Sequence, residues 1–212
     1  MSAPDAAKSS AKEDAPARRS VMRVLDATPP QTVGPFFHLC LTADPSFGRL
    51  GSPGCGGECI TLICRVLDGD GQPVNDAMIE LWQADSGGTY NHPDDPRYDA
   101  RDRAFRGFGR LATGENGECA FETVMPGRVL DPSGAPQAPH VNVSVFARGL
   151  LKRAVTRIYF AGDPSNSEDP ILSIVPADRR DSLLARADPA RPSVWILDIH
   201  LCGDRETVFF DV

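Results

Sequence analysis

No apolar run in this 212-residue sequence approaches the ~18 residues that a membrane-crossing helix needs, so no membrane segment is expected. Positive charge is not in excess either. The net charge of -7 argues against a protein that tracks nucleic acid along a basic stripe. An export signal is also missing: Arg18-Arg19 could start a twin-arginine leader, but the following VMRVLDATPP supplies no apolar region. A cytoplasmic location is the expectation. Six cysteines (Cys40, Cys55, Cys59, Cys64, Cys119 and Cys202) would invite pairing in a secreted chain, and without a leader they are expected as reduced thiols. Cys55, Cys59 and Cys64 cluster around a Gly-rich turn at spacings that match no common zinc pattern. No G-x-S-x-G elbow occurs, so nucleophilic catalysis has no support. No internal repeat of fixed period is present.

What is there reads as one domain with a long lead-in. Residues 1–22 are rich in Ala, Ser, Pro and charge and cannot repay the entropy of ordering, which predicts a disordered tail. Residues 23–48 combine prolines and aromatics without a period and read as an extended arm that packs on something else, a partner subunit. Residues 49–212 alternate short β-type runs with turn signals: ECITLICRVLD, DAMIELWQAD, ECAFETV, VNVSVFA, AVTRIYF, VWILDIHL and ETVFFDV. Only DRRDSLLARA, residues 178–187, looks helical. The fold class that follows is all-β, an antiparallel sandwich or barrel with one short helix and long loops. ITLICRVL and MIELW are apolar at both parities, so both sides are expected to be covered, by a second sheet and by another chain. The polar loop of residues 86–109 is the place to look for function.

DGDG at residues 68–71 has the start of a calcium loop but none of its later ligands, and reads as a turn. Asp85, Asp94, Asp95, Asp99 and Asp102 crowd the long loop and are expected to be solvated. The metal-ligand candidates are His38, His92, His140, His200, Tyr90 and Tyr98. His140 and Asn142 project side by side from one strand face, the spacing at which two imidazoles would meet one ion.

LDGDGQPVNDAMIELWQADSGGTYNH, residues 67–92, resembles the signature of the intradiol ring-cleaving dioxygenases, in which W-Q-A-D precedes G-x-Y. The resemblance continues through FRGFGRLATGENGECAFETVMPG, HVNVSVFARG and TRIYFAGDP. It implies a β-sandwich of the intradiol type. It also implies a ferric ion held by two tyrosinates and two histidines, since phenolate is a hard anionic donor whose proton the ion displaces. Carried over by position, the first tyrosine is Tyr90 and the first histidine His140. Val129 stands where the second tyrosine belongs, and Asn142 where the second histidine belongs. Gln137 replaces a cation, and Arg157 replaces a glutamine beside the pocket. The resemblance therefore implies a vestigial metal site, with no metal bound and no catalytic residue in this chain.

TPPQTVGPFFH and the closing TVFFDV are similar to the smaller, α-type chains of two-chain members that cleave protocatechuate. That similarity implies a β subunit of the same fold that carries the Fe(III), a higher-order oligomer of heterodimers, and a pocket at their interface. Thr32, Gly34 and Pro35 of the arm would line the partner's pocket, and Arg148 would face the carboxylate of protocatechuate. Two other readings remain open: a self-sufficient enzyme with a rearranged metal site using His38, His92 or Tyr98, and a purely structural subunit.

Overall fold

The computed structural model describes residues 28–34 and 36–211; the predicted tail and Pro35 lie outside the described residues. The chain runs α1 (Phe36–Leu41), β1 (Cys59–Leu67), β2 (Met78–Trp82), β3 (Phe108–Ala112), β4 (Glu118–Val124), β5 (His140–Phe146), β6 (Ala154–Phe160), α2 (Pro170–Ile174), β7 (Leu184–Asp188) and β8 (Arg191–His200). The eight strands form one sheet in the order β3-β2-β5-β6-β7-β8-β1-β4. Most neighbours are antiparallel, as expected, but β1 runs parallel to β8, and β6 runs parallel to β7 through two residue pairs. That narrow junction lets the two halves face each other. Leu62 of β1, Phe121 of β4, Leu81 of β2, Val143 of β5 and Leu197 of β8 meet in one core, a nearly closed barrel-like sandwich.

Alternation accounts for the register. In β5, Val141, Val143 and Val145 enter the core, while Asn142, Ser144 and Phe146 turn outward and are half-buried. The outer face of β1 is likewise half-buried through Thr61, Ile63 and Arg65. Cys64 and Cys119 stand opposite each other across β1 and β4, both buried, and the thiol contact with Cys64 together with burial pushes the Cys119 pKa well up. All six cysteines are free thiols. The turn at residues 68–71 is a turn and nothing more: Asp68 Oδ1 accepts from the backbone of Asp70 and Gln72, and Gly71 takes φ +76°.

Three expectations need correction. DRRDSLLARA is not a helix but a 3-10 turn (Arg180–Leu183) followed by β7. Leu183 and Ala185 are fully buried, and the backbone of Arg186 and Ala187 pairs with Ile196 and Trp195 of β8, so tertiary pairing overrides local helix preference. The short α-helices lie elsewhere, α1 inside the predicted extended arm and α2 after β6. ETVFFDV has strand composition but joins no ladder, and is held singly by Thr207 N–H to His200 O and Phe210 N–H to Val155 O. Among the described residues, no helix is long and apolar enough to cross a membrane.

Candidate functional site

The outward faces of β2, β5 and β6 place the candidate side chains in rows. Trp82 stands opposite Asn142, which stands opposite Arg157; His140 stands opposite Tyr159. The register alone thus assembles these five side chains on one face.

Tyr90 arrives from the loop after β2, and a buried carboxylate shapes that loop. Asp85 Oδ1 accepts the N–H groups of Gly87 and Thr89, Oδ2 accepts that of Asp102, and the Asp85 carbonyl takes Gly127 N–H. Asp95 accepts from Tyr90 N–H at 2.8 Å, and Asp102 from Gly56 N–H at 2.7 Å. These three aspartates are structural acceptors rather than the solvated residues expected. Gly88, at φ +78°, lies so close to the Arg128 carbonyl that a Cβ could not fit. This backbone contact draws the MPGRV segment alongside the Tyr90 loop. Val129 follows, buried, with its carbonyl accepting Gln137 N–H at 2.8 Å.

At the centre Tyr90 stacks on Trp82, ring centroids 5.8 Å apart. Its hydroxyl accepts from Asn142 Nδ2 at 3.1 Å and lies 3.4 Å from His140 Nε2. His140 Nδ1 is 2.8 Å from the Ala138 carbonyl, which assigns the ring proton to Nδ1 and leaves Nε2 to accept the Tyr90 hydroxyl proton. Burial pushes the Tyr90 pKa up, against the pull of the Asn142 hydrogen bond and the Arg157 charge. Burial, then the Arg157 guanidinium, push the His140 pKa down to about 4. Both groups are therefore neutral near pH 7: a phenol and an imidazole hydrogen-bonded to each other.

Arg157 Nη1 donates to Gln137 Oε1 at 2.7 Å and to Tyr159 Oη at 3.3 Å. Tyr159 in turn donates to Asp169, a fully buried carboxylate that also caps α2 and accepts Ala138 N–H at 2.7 Å. Reading the sequence missed Asp169; its signal was the Asp-Pro pair that opens a helix.

A ferric ion fits these residues poorly. Val129 has no donor atom, Asn142 offers a neutral amide, and the Arg157 guanidinium brings a positive charge. No replacement set assembles. His92 is half-exposed at an open cavity of about 450 Å³ shared with Trp82, Tyr90 and Leu130, and binds Asp94. Tyr98 stacks under Arg101, and His200 lies at the far end of β8, lining a different cavity of about 810 Å³. The His38 side chain lies outside what is described. Among the described residues no group of three or more His, Cys, Asp or Glu could hold a metal ion.

The second set of candidates lies elsewhere. Arg148 lies in the turn after β5, at the opposite end of that strand from His140. Its side chain is 77% exposed and its Nε pairs with Asp76. The next residue, Gly149, donates its N–H to Thr32 Oγ1 at 2.8 Å. The arm and the end of β5 are thereby joined, and Phe37 of α1 packs against Phe146. Thr32 and Gly34 are exposed, and the Gly34 carbonyl accepts Phe37 N–H at the start of α1.

A family model described as Dioxygenase matches residues 49–194. The protocatechuate 3,4-dioxygenase alpha chain of Burkholderia cepacia is 41% identical over 205 residues, covering 90% of this chain and all of that one. The chain belongs to the intradiol dioxygenases, among the α chains of protocatechuate 3,4-dioxygenase. The beta chain from Burkholderia cepacia is 38% identical over 132 residues, covering 61% of this chain and 56% of that one. Among solved structures, the dioxygenase domain of a dioxygenase carbohydrate-binding protein fusion from Streptomyces sp. SirexAA-E has TM-score 0.55 at 25% identity, covering 84% of this chain and 99% of that one. Intradiol dioxygenases depend on iron.

Proposed function

We propose that this chain is the iron-free α subunit of a protocatechuate 3,4-dioxygenase, paired with a β subunit that holds Fe(III). The pair inserts both atoms of O2 into protocatechuate between the hydroxylated carbons and yields 3-carboxy-cis,cis-muconate. The observation that carries this reading is the remnant site, in which Tyr90, His140 and Asn142 satisfy one another and Arg157 supplies the charge a metal would have brought.

The chain's positive role is at the interface. Thr32 and Gly34 form one edge of the partner's pocket, and Arg148 meets the substrate carboxylate. Two features support that assignment: the hydrogen bond that ties Thr32 to Gly149, and the exposure of Arg148 at the end of β5 opposite His140. The guanidinium fork matches a carboxylate in geometry and charge. The heterodimers assemble further into a higher-order oligomer in the cytoplasm.

Co-expression with a β-type chain tests the pairing. The expected result is stable copurification, with ring cleavage present in the pair and absent from this chain alone. Full turnover by this chain alone would contradict the proposal.

A further inference from the structure

We infer that Asp76 is a positioning residue for substrate recognition: it holds the Arg148 guanidinium by its Nε edge and leaves the Nη1/Nη2 edge free for the carboxylate of a catecholic acid. The inference rests on the pocket-wall reading of Arg148 given above.

The register sets up the pair. The β2–β5 ladder ends with Met78 opposite Phe146, and Asp76 and Arg148 lie two residues beyond that pair, each in a turn, where their side chains meet. Asp76 sits in the turn entering β2, anchored because its neighbour Ala77 is fully buried and donates its N–H to Thr113 Oγ1 at 3.0 Å. The Asp76 side chain is 23% exposed against 77% for Arg148, so a fixed, mostly covered carboxylate steers a projecting cation.

The atom that makes the contact decides the geometry. A guanidinium has two edges that can grip a carboxylate with paired N–H groups, one formed by Nε and a terminal nitrogen, the other by the two terminal nitrogens. Asp76 Oδ2 contacts Nε and so takes the first edge. Asp76 Oδ1 is buried and has no hydrogen-bond partner, so one oxygen remains to complete a two-point grip as the side chain settles in the assembled enzyme. An unrestrained arginine would surrender rotamer freedom on binding substrate; one held beforehand surrenders less. Gly149, whose N–H is held by Thr32, fixes the backbone on the far side of Arg148.

The alternative is competition, in which Asp76 neutralises Arg148 and weakens its pull on an anion. Positioning and competition predict opposite signs for one isosteric change, Asp76→Asn, made in the enzyme assembled with its β-type partner. Positioning predicts a KM for protocatechuate raised about threefold, the size of an exposed ion-pair effect, with kcat little changed. KM for catechol, which has no carboxylate, should not move. Arg148→Ala should raise the protocatechuate KM about tenfold or more, as loss of a charged hydrogen-bonding partner does, and adding Asp76→Asn to it should have no further effect. The inhibition constants of 4-hydroxybenzoate and phenol give the same comparison without turnover. A lowered or unchanged protocatechuate KM in Asp76→Asn, with Arg148→Ala still impaired, overturns the positioning role and leaves the wall reading standing. Equal shifts for both substrates would make Asp76 merely structural. An unaltered KM in Arg148→Ala would remove the wall reading itself, and this inference with it.

Discussion

His140 is buried and has a hydrogen-bond partner at each ring nitrogen. Its pKa of about 4 in the fold lies below the ~6.5 of an unfolded histidine, so the fold prefers the neutral ring. Above pH ~6.5 both states are neutral and that contribution to stability is fully present. As the pH falls from ~6.5 toward 4 the unfolded chain takes up the proton first, and stability drops by about 1.4 kcal/mol per unit, to a total of about 3 kcal/mol. Urea unfolding of the wild type and His140→Gln across this window should differ by that slope; parallel curves would show that the ring titrates normally. The pairing of His140 with Asn142 on one strand face was legible from the two-residue period, and the structure sets both against the Tyr90 hydroxyl. Asp85, Asp95 and Asp169 were not legible. A carboxylate in a polar loop looks solvated until the fold shows which backbone N–H groups converge on it, some from its own loop, as when Asp95 receives Tyr90, and some from far along the chain, as when Asp169 receives Ala138.

At the scale of elements, α2 and the start of β5 depend on one side chain. Asp169 accepts the first free N–H groups of α2 from Ile171 and Leu172, takes Ala138 N–H just ahead of His140, and receives the Tyr159 hydroxyl. Asp169→Ala should cost about 3 kcal/mol in denaturant unfolding, one lost cap together with buried donors left without acceptors. A loss below about 1 kcal/mol would mean that water replaces the carboxylate. Strands β1, β2, β4, β5, β6 and β8 could be read as short β-type runs bounded by turn residues, with burial alternating most cleanly in β1 and β5. β3 was hidden in the long loop because its glycine, Gly109, looked like loop material. The structure gives that residue a packing reason, since a Cβ there would lie 2.6 Å from Leu50 Cδ1 and 2.9 Å from Phe121 Cδ1. β7 was hidden for the opposite reason. SLLARA is a good helix sequence locally, and only the need to join the two half-sheets makes it a strand.

At the scale of the whole molecule, one intradiol fold presents two surfaces with different fates. On the outward face of β2, β5 and β6, Asn142 and His140 hydrogen-bond the Tyr90 hydroxyl, and Arg157 donates to Gln137 and Tyr159. The far end of β5, joined to the arm, presents an exposed arginine. The central claim is that this chain holds no iron of its own and completes a site in which another chain does. Iron content and visible absorption test this most directly, measured on this chain purified alone and on the pair formed with a β-type chain. The account predicts a colourless, iron-free chain and a pair with one iron per heterodimer and a ferric-tyrosinate band. Stoichiometric iron in the lone chain, with the same band, would contradict it.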